Sequence, residues 1–382
     1  MIFRILEDQF AQKAREAKDA DRRFMELALA LGRRGQGRTW PNPAVGAVIV
    51  KDGIIVGRGW TQPGGRPHGE PEALRRAGEA ARGATLYVTL EPCSHFGKSP
   101  PCADAVIAAG IKRVVAAIED PNPEVAGQGH ARLRAAGINV DVGLCAAEAA
   151  FDHSGHFRRI RDNRPHVILK LAVSPDGKIG AAGGKSLAIT GEAVRDRVHL
   201  LRAQSDAILV GIGTVLADDP QLNCRLPGME ARSPVRIVLD QSLRVPATSQ
   251  LVRSARETPL WVVSSELAEA AAATRLGAAG AQIIRIPHRS ASGLDLPSVL
   301  HALAGKGITR LMVEGGSRVA ASFIAADLVD EIWLFRGAEA VGPGGIDALD
   351  ALPLTKITQS QAYKVHASET FDTDTLTIYE RA

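Results

Sequence analysis

Residues 68–110 read HGEPEALRRAGEAARGATLYVTLEPCSHFGKSPPCADAVIAAG, and the order of elements in this segment indicates the fold class. A helix pattern begins near His68, the apolar run ATLYVTLEP predicts a strand, and PPCADAVIAAG predicts a second helix. Strands that alternate with helices are typical of an α/β domain, in which helices cover a sheet.

The segments on either side continue this alternation. Upstream, apolar residues recur at helical spacing from Asp21, and PNPAVGAVIVKDGIIVGRGW predicts a β-hairpin because Asp52-Gly53 is a strong turn signal between two Val/Ile runs. Downstream, IKRVVAAIEDP and INVDVG predict strands around the helix GQGHARLRAAG. The order αββαβαβαβ predicts a three-layer α/β domain with helices on a mixed sheet.

The chain divides by pattern into four segments. Residues 1–20 are a charged N-terminal extension, 21–145 the first α/β domain, and 146–165 a helical, charge-rich linker. Residues 166–382 are a second α/β series that does not repeat the first. Its predicted strands are HVILKLAVS, DAILVGIGTVL, VRIVLD, PLWVVSS, AQIIRIP, ITRLMVEGG, DEIWLFRG and TLTIYER, and its predicted helices are GEAVRDRVHLLRAQS, 266–276, 297–304 and SRVAASFIAAD.

The composition is that of an ordinary globular protein. The 382 residues are 45% hydrophobic and 23% charged, with a formal charge of +4 that is not gathered into a basic tail. Aromatic residues are only 4%, which argues against stacking on single-stranded nucleic acid. The longest apolar stretch, 207–217, is far shorter than the ~20 residues of a membrane span. We expect no signal peptide, and the four cysteines predict free thiols in a reducing cytoplasm.

The strongest chemical constellation is a His, a Glu and two Pro-Cys pairs. His68 and Glu70 are two residues apart, and Cys93 and Cys102 each follow a proline. One imidazole and two thiolates suit Zn²⁺ and leave its fourth position open to water, as in catalytic sites. Glu70 is then placed to act as general acid and base. A closed structural zinc site, or two core cysteines, is the alternative that these residues leave open.

This constellation resembles the zinc nucleotide-deaminase signature H-x-E then P-C-x-x-C, with eight residues between the cysteines instead of two. HGEPEAL and TLEPCSHFGKSPPC, with PNPAVGAVIV and EDPNPEVAGQG, resemble the deaminase half of the bifunctional riboflavin-biosynthesis deaminase–reductases. The resemblance implies a cytidine-deaminase-like three-layer αβα fold. It also implies substrate contacts at Asn42, Lys98 and Asn122, which unaided would be interpreted as two turn residues and a solvated charge.

The second half lacks the G-x-G-x-x-G fingerprint but has EGGS at 314–317, at a predicted strand-to-helix junction. Glycines there let a ligand approach the backbone, and a helix start offers amides to a phosphate, although a plain β–α turn is the simpler interpretation. Lys170 lies on the first strand, and Ser186, Arg202 and Arg225 together suit a sugar phosphate. Each arginine taken alone is more typical of a surface or ion-pair residue.

The segments LKLAVSPDGKI, SLAIT, LLRAQSDAILVGIGTVLADDPQLNCR and EGGS resemble, in order, the reductase half of the same family, a dihydrofolate-reductase-like α/β fold that uses NADPH. The resemblance implies that the substrate is contacted by Lys170, Ser186, Arg202, Leu222, Arg225 and Glu314. It implies that the cofactor is contacted by Ala172, Ala188, Thr190, Thr214, Asp218, Gly315, Gly316 and Ser317. One departure is Ala188, where the family often has a Trp beside the cofactor.

The resemblance implies two successive reactions of riboflavin biosynthesis on a small molecule. The first is zinc-dependent hydrolytic deamination of 2,5-diamino-6-(5-phosphoribosylamino)pyrimidin-4-one to the aminouracil, and the second is NADPH-dependent reduction of the ribosyl group to ribityl. The implied catalytic residues are Glu70, Lys170 and Glu314. The resemblance also implies a homo-oligomer, dimer or tetramer, with no nucleic-acid or membrane partner. Three alternatives stay open: a nucleic-acid or nucleotide deaminase, a structural zinc protein, and a deaminase whose reductase domain is degenerate.

Overall fold

The structure, a computed structural model, describes residues 2–97, 99–123, 125–182, 187–287 and 293–382, with side chains from residue 18 onward. The chain forms two compact units, Met1–Asp162 and Asn163–Ala382. The helices of the first unit are α1 (Ile2–Arg33), α2 (Gly69–Ala77), α3 (Cys102–Ala108), α4 (Gln128–Ala135), α5 (Ala146–Asp152) and α6 (Ser154–Asp162). Its strands are β1 (Gly46–Lys51), β2 (Ile54–Trp60), β3 (Thr85–Val88), β4 (Arg113–Ala116) and β5 (Asn139–Val142).

The sheet of the first unit is mixed, as predicted. Its strand order is β2-β1-β3-β4-β5, with β1 antiparallel to both of its neighbours and β3, β4 and β5 parallel. The predicted hairpin is confirmed: Asp52 and Gly53 have φ angles of 50° and 77°, the positive values that a two-residue type I′ turn requires.

Alternate residues of β1 enter two different cores, which makes the unit three layers thick. Ala47 and Ile49 pack with α2, α3 and α4 on one face, and Val48 and Val50 pack with α1 and α5 on the other. Gly46 allows α1 to lie directly on β1, because a Cβ at this position would overlap the carbonyl oxygen of Ala28. The predicted three-layer α/β class is confirmed.

Two segment boundaries differ from the predicted ones. The extension predicted over residues 1–20 is helical, because α1 begins at Ile2 and no Gly or Pro interrupts the chain before Gly32. The predicted linker, 146–165, forms α5 and α6 within the first unit. These helices belong to the first unit because their apolar residues Ala149 and Phe157 are buried in its two cores.

The second unit has a larger sheet. Its helices are α7 (Glu192–Ala203), α8 (Ile212–Asp218), α9 (Gln250–Arg253), α10 (Ala270–Ala278), α11 (Leu296–Gly305), α12 (Ser317–Ala325) and α13 (Thr355–Thr358). Its strands are β6 (His166–Val173), β7 (Lys178–Gly180), β8 (Ala207–Gly211), β9 (Val235–Leu239), β10 (Leu260–Ser265), β11 (Gln282–Ile286), β12 (Arg310–Val313), β13 (Glu331–Arg336), β14 (Ile346–Asp347), β15 (Tyr363–Phe371) and β16 (Asp374–Arg381).

The main sheet of this unit has the order β11-β10-β9-β8-β12-β6-β13-β16-β15. Strands from β11 to β13 run parallel, and the β15–β16 hairpin is added antiparallel at one side. Because β6, β8 and β12 are neighbours, the residues that follow them meet at one edge of the sheet. The expected α/β class is confirmed here too.

Several elements of the second unit differ from the sequence prediction, and the short elements β7, β14, α9 and α13 were not predicted. The segment DAILVGIGTVL (206–216) was predicted as one strand, which is wrong: only Ala207–Gly211 is strand, and α8 follows at once. The paired strands β9 and β12 end at Leu239 and Val313, so beyond Gly211 the chain has no strand to pair with. Strand β15 was not predicted. None of the helices in the described ranges is both long and apolar enough to cross a membrane.

Candidate active sites

The predicted zinc donors lie together where β3 ends and two helices begin. His68 immediately precedes α2, Cys93 lies in the loop after β3, and Cys102 is the first residue of α3. His68 Nδ1 is 3.8 Å from Cys93 Sγ and 3.3 Å from Cys102 Sγ. The Cys102 N–H donates to Cys93 Sγ at 3.3 Å. Hydrogen bonds with Cys102 and His68 lower the pKa of Cys93 to about 4, which favours the thiolate that binds metals.

These distances suit three ligands of one tetrahedral ion. An ion about 2.0–2.1 Å from nitrogen and about 2.3 Å from sulfur holds such ligand atoms about 3.6 Å apart. The three donor atoms lie within 4.8 Å of one another, and no fourth side chain of the described ranges joins them. His95, two residues after Cys93, is exposed. The donor set therefore fits zinc with one position left for water, and it does not fit a closed structural site.

Glu70 lies on the first turn of α2 and is buried, with 3% of its surface exposed. Glu70 Oε2 and His68 Nε2 are both buried without a hydrogen-bond partner among the described residues. Burial raises the pKa of Glu70 to about 7. A carboxyl group with such a pKa can take up and release a proton near neutral pH.

A second cluster of possible metal donors consists of Glu91, Glu119 and His130. The two carboxylate oxygens of Glu91 accept four backbone N–H groups from the segment 120–130, at 2.8 to 3.3 Å. A carboxylate has about four lone-pair sites, so none remains for an ion. Glu91 instead ties the start of α4 to the loop that carries Cys93. Sequence reasoning missed this role, because the four donors lie 29 to 39 residues away.

Two of the three predicted substrate contacts of the first unit lie within the described residues. Asn42 Nδ2 donates to the carbonyl oxygen of Gly65 at 2.8 Å, and so holds the loop before α2. Asn122 lies between β4 and α4, where its N–H donates to Asp120 Oδ1 at 2.8 Å. Lys98 lies outside the described residues. The two asparagines thus each have a structural contact beside the role expected of them.

In the second unit, most of the predicted reductase residues line one cavity of about 350 Å³. It lies toward the carboxyl ends of β6, β8 and β12, where ligands of open α/β sheets usually bind. The predicted residues that line it are Lys170, Ala172, Ala188, Thr190, Arg202, Thr214, Asp218, Leu222, Glu314, Gly315 and Gly316.

Glu314 lies between two cations in this cavity. Lys170 Nζ donates to Glu314 Oε1 at 3.2 Å, and Arg202 donates to Oε2 from Nε at 3.1 Å and from Nη2 at 2.9 Å. Burial by itself would raise the pKa of Glu314, but the charges and hydrogen bonds of Arg202 and Lys170 lower it to about 2. Two cations against one anion leave an excess positive charge, which suits an anionic ligand.

The remaining predicted residues lie around this cavity or outside the described ranges. The Arg225 N–H donates to His199 Nδ1 at 3.3 Å, and its Nη1 donates to Asn223 Oδ1 at 2.9 Å. Burial and the neighbouring arginines lower the pKa of His199 and so keep it neutral. Ser317 lines an adjoining cavity. Ser186 lies outside the described residues.

Sequence reasoning missed one cation of the cavity. Arg195 lines it together with Arg202. Both residues belong to α7 and are seven positions apart, a spacing of about two helical turns that places them on one face. This spacing was the signal available in the sequence.

Two family models match the chain. The model described as the cytidine and deoxycytidylate deaminase zinc-binding region matches residues 18–118, and that described as the RibD C-terminal domain matches residues 165–376. The second match alone covers more than half of the chain. The chain belongs to the RibD family.

Individual RibD proteins are similar over almost the whole chain. The riboflavin biosynthesis protein RibD of Aquifex aeolicus is 44% identical over 327 residues, which cover 86% of this chain and 89% of the relative. That of Escherichia coli is 42% identical over 355 residues, which cover 90% of this chain and 95% of the relative.

Solved RibD structures agree with the fold. RibD of Acinetobacter baumannii superposes with a TM-score of 0.83 at 35% identity, over 96% of this chain and 99% of that one. A diaminohydroxyphosphoribosylaminopyrimidine deaminase/5-amino-6-(5-phosphoribosylamino)uracil reductase of Thermotoga maritima gives 0.83 at 34% identity, over 96% and 100%. The protein is therefore a bifunctional enzyme of riboflavin biosynthesis, with a zinc-binding deaminase region and an NADPH-using reductase region.

Proposed function

We propose that the first unit deaminates 2,5-diamino-6-(5-phosphoribosylamino)pyrimidin-4-one and that the second unit reduces the resulting aminouracil. The observation that carries the first assignment is the cluster of His68, Cys93 and Cys102 with the buried carboxyl of Glu70 two residues from His68. The assignment of one reaction to each unit is supported by the division of the chain into Met1–Asp162 and Asn163–Ala382 and by the two matched families.

In the deaminase step, His68, Cys93 and Cys102 would hold the zinc ion. When bound, the ion supplies Lewis-acid activation of the attacking water. Glu70 takes a proton from that water as a bond forms to the ring carbon that carries the 2-amino group. Glu70 gives this proton to the neighbouring ring nitrogen. It then takes the second proton of the original water from the new hydroxyl group and gives it to the departing amino group, so that the C–N bond breaks, a carbonyl group remains and ammonia leaves.

Three residues would hold the substrate in this step. Asn42 and Asn122 each offer a donor and an acceptor to the edge of a pyrimidine. Lys98 would meet a phosphate or sugar oxygen. The contact of Asn42 with Gly65 supports the first of these roles, because it holds the residue in the loop that leads to His68.

In the reductase step, NADPH supplies the hydride that reduces C1 of the ring-opened sugar. Glu314 holds Lys170 and Arg202 in place, and Lys170 with Glu314 positions the sugar oxygens. Arg202, Arg225, Ser186 and Leu222 would bind the rest of the substrate. The cofactor would contact Ala172, Ala188, Thr190, Thr214, Asp218, Gly315, Gly316 and Ser317, most of which line the same cavity.

The test is to incubate the purified zinc-loaded protein with the diaminopyrimidinone phosphate, with and without NADPH, and to identify the products by mass. We expect the aminouracil and ammonia without NADPH, and the ribitylamino product with it. If the aminouracil accumulates even with NADPH, the reductase assignment is wrong. If ammonia is released from RNA and not from the free pyrimidine, the substrate assignment is wrong.

We also propose that the enzyme acts in the cytoplasm as a homo-oligomer, a dimer or a tetramer, on a small molecule and without nucleic-acid or membrane partners. The free thiols of Cys93, Cys102, Cys145 and Cys224 support a reducing compartment. Sedimentation equilibrium measures the assembly, and a monomer at micromolar concentration would contradict this part of the proposal.

A further inference from the structure

Two buried histidines near the end of the first unit have no role in the proposed function. His153 lies between α5 and α6, and His156 lies on α6. His153 Nε2 is 3.1 Å from Thr89 Oγ1, whereas His156 Nε2 is 3.1 Å from Oδ1 and 3.2 Å from Oδ2 of Asp120. Of the two rings, His156 is therefore the one that contacts the loop after β4.

Asp120 connects His156 to Asn122. Burial by itself would raise the pKa of Asp120, but hydrogen bonds from His156 and from the Asn122 backbone help to lower it, so the group is a carboxylate. A carboxylate only accepts hydrogen bonds, so the imidazole donates from Nε2. The Asn122 N–H donates to Oδ1 of the same carboxylate at 2.8 Å. Nδ1 of His156 is buried without a partner among the described residues, so the hydrogen bonds of this ring go to Asp120.

The same loop is also tied to the segment that carries a zinc donor. The Asp120 N–H donates to Glu91 Oε2 at 3.3 Å, and Glu91 is two residues before Cys93. The backbone of Asp120 is thus held by the Cys93 loop, and its side chain is held by α6. These two attachments fix the position of Asn122 relative to the zinc donors, which an amide needs in order to meet the edge of a pyrimidine.

We propose that His156 is a positioning residue of the deaminase site, which holds Asn122 in place for the pyrimidine by way of Asp120. This inference rests on the proposed function, because that function assigns a substrate contact to Asn122. A buried carboxylate that loses a hydrogen bond must move toward water or rearrange its remaining partners. Either change displaces Asn122, whose N–H is bound to the same carboxylate. Loss of His156 should therefore weaken substrate binding and leave the zinc donors and Glu70 in place.

The first test measures ammonia release by the full-length, zinc-loaded protein. His156→Leu removes the hydrogen bond to Asp120, and His156→Gln keeps an N–H donor at about the position of Nε2. We expect His156→Leu to raise KM for the diaminopyrimidinone phosphate by about 10- to 100-fold, with a much smaller change in kcat, and His156→Gln to restore KM to within about threefold. The zinc content should stay at the wild-type value in both variants.

His153→Leu is the matched control, because it removes a buried imidazole of the same segment that contacts Thr89 and not Asp120. Its KM should stay at the wild-type value. Equal increases of KM in His156→Leu and His153→Leu, or no increase in either, would overturn the inference. Should His156→Leu fail to fold, His156→Asn takes its place, because the shorter amide side chain ends before the position of Nε2.

A double substitution separates positioning from a general loss of structure. If His156 acts through Asn122, then Asn122→Ala already removes the group that His156 holds, and adding His156→Leu should raise KM no further. If the two effects multiply, the residues act independently and the inference is overturned. A wild-type KM in Asn122→Ala would overturn it as well.

Hydrogen exchange, followed by NMR in the substrate-free protein, gives a readout that does not depend on the substrate. We expect the Asn122 amide to exchange at least about 10-fold faster in His156→Leu than in the wild-type protein or in His153→Leu. Unchanged exchange would overturn the inference. If exchange rises as expected but the wild-type protein releases no ammonia from the pyrimidine, the proposed function fails and the attachment of the loop by His156 stands.

Discussion

At the residue scale, burial acts on Glu70 and Glu314 with opposite outcomes. Burial raises the pKa of Glu70 to about 7, because it outweighs the charge interaction with His68 that lowers this pKa. Burial also opposes ionisation of Glu314, but Arg202 and Lys170 outweigh it and lower the pKa to about 2. The same residue type is therefore suited to carry protons in one site and to remain a fixed anion in the other.

Glu70→Gln removes the ionisable carboxyl group and keeps the shape of the side chain. We expect ammonia release to fall by about 10²- to 10⁴-fold, the usual contribution of general acid–base catalysis, with the zinc content unchanged. Ammonia is measured with a coupled enzyme assay and zinc by atomic emission.

Glu72→Gln is the matched control, because Glu72 lies on the same helix but pairs with Arg75 and Arg76. It should release ammonia at the wild-type rate. A Glu70→Gln protein that matches this control in rate would show that Glu70 does not move the proton.

The ion pairs of Glu314 predict a pH dependence of stability. Its pKa falls from the ordinary 4.5 to about 2 on folding, which corresponds to about 3 kcal/mol of stabilisation. The stabilisation that comes with this lowered pKa is fully present above pH ~4.5 and is lost as the pH falls toward ~2. We expect the wild-type protein to be more stable than Glu314→Gln at pH 7. The difference in stability between the two proteins should decrease between pH 4.5 and 2.5.

Thermal unfolding midpoints across this pH range provide the measurement. Glu369→Gln is the control, because it removes an ion pair with Arg197 in the same unit whose carboxylate is more exposed than that of Glu314. If the difference in unfolding midpoint between wild type and Glu314→Gln stays constant with pH, the assigned ion pairs are contradicted.

At the element scale, the turns could be predicted from the sequence, whereas the pairing of strands often could not. Asp52-Gly53 predicted the β1–β2 hairpin because the positive φ angles belong to these residues themselves. The Val/Ile run 207–217 suits a strand throughout, but neighbouring strands end and α8 begins at Ile212. Strand β15 has largely exposed residues and is defined by its pairing with β16. No local pattern marks such an edge strand.

Helix α4 packs closely against the loop that carries Cys93, and this contact also depends on a single residue. Gly129 lies on the first turn of α4, where a Cβ would overlap the carbonyl oxygen of Pro92 and lie 3.1 Å from Glu91 Oε1. We expect Gly129→Ala to push α4 away from this loop, lowering the unfolding free energy by about 1–3 kcal/mol, as overpacking does, and weakening zinc retention.

Chemical denaturation and zinc titration against a chelator measure these effects. Gly277→Ala is the control, because Gly277 lies in α10 with nothing within 4 Å of an added Cβ. This change should be neutral or stabilising by up to ~1 kcal/mol. If both variants retain wild-type stability and zinc affinity, α4 does not pack against the Cys93 loop in the way described.

At the scale of the whole molecule, the two reactions belong to two units with separate cores. The zinc donors and Glu70 lie in Met1–Asp162, and the cavity of Lys170 and Glu314 lies in Asn163–Ala382. Each unit has its own buried apolar clusters. The described residues proposed for each site therefore belong to a single unit.

This separation predicts that each activity can be removed alone in the full-length protein. Arg202→Ala should release ammonia at the wild-type rate but lower kcat/KM for reduction of the phosphorylated aminouracil by about 10- to 100-fold, with a smaller loss for the dephosphorylated compound. Glu70→Gln should reduce supplied aminouracil at the wild-type rate. Equal losses for the two forms of the substrate in Arg202→Ala would exclude a phosphate contact.

The sequence by itself determined the residue types, their spacing and the local elements. These include the residues proposed to bind zinc, with Glu70, as well as the β1–β2 hairpin, the three-layer order and the resemblance to one enzyme family. These features are local, because a turn or a helix start depends on a few consecutive residues.

Only the tertiary structure decided which distant residues meet. Lys170 and Glu314 are 144 residues apart, and the N–H groups that donate to Glu91 lie 29 to 39 residues after it. Such contacts follow from the pairing order of the strands and from burial, which together set the charge and proton affinity of each site. No pattern within a single segment contains that information, because the partners are brought together only when the chain packs.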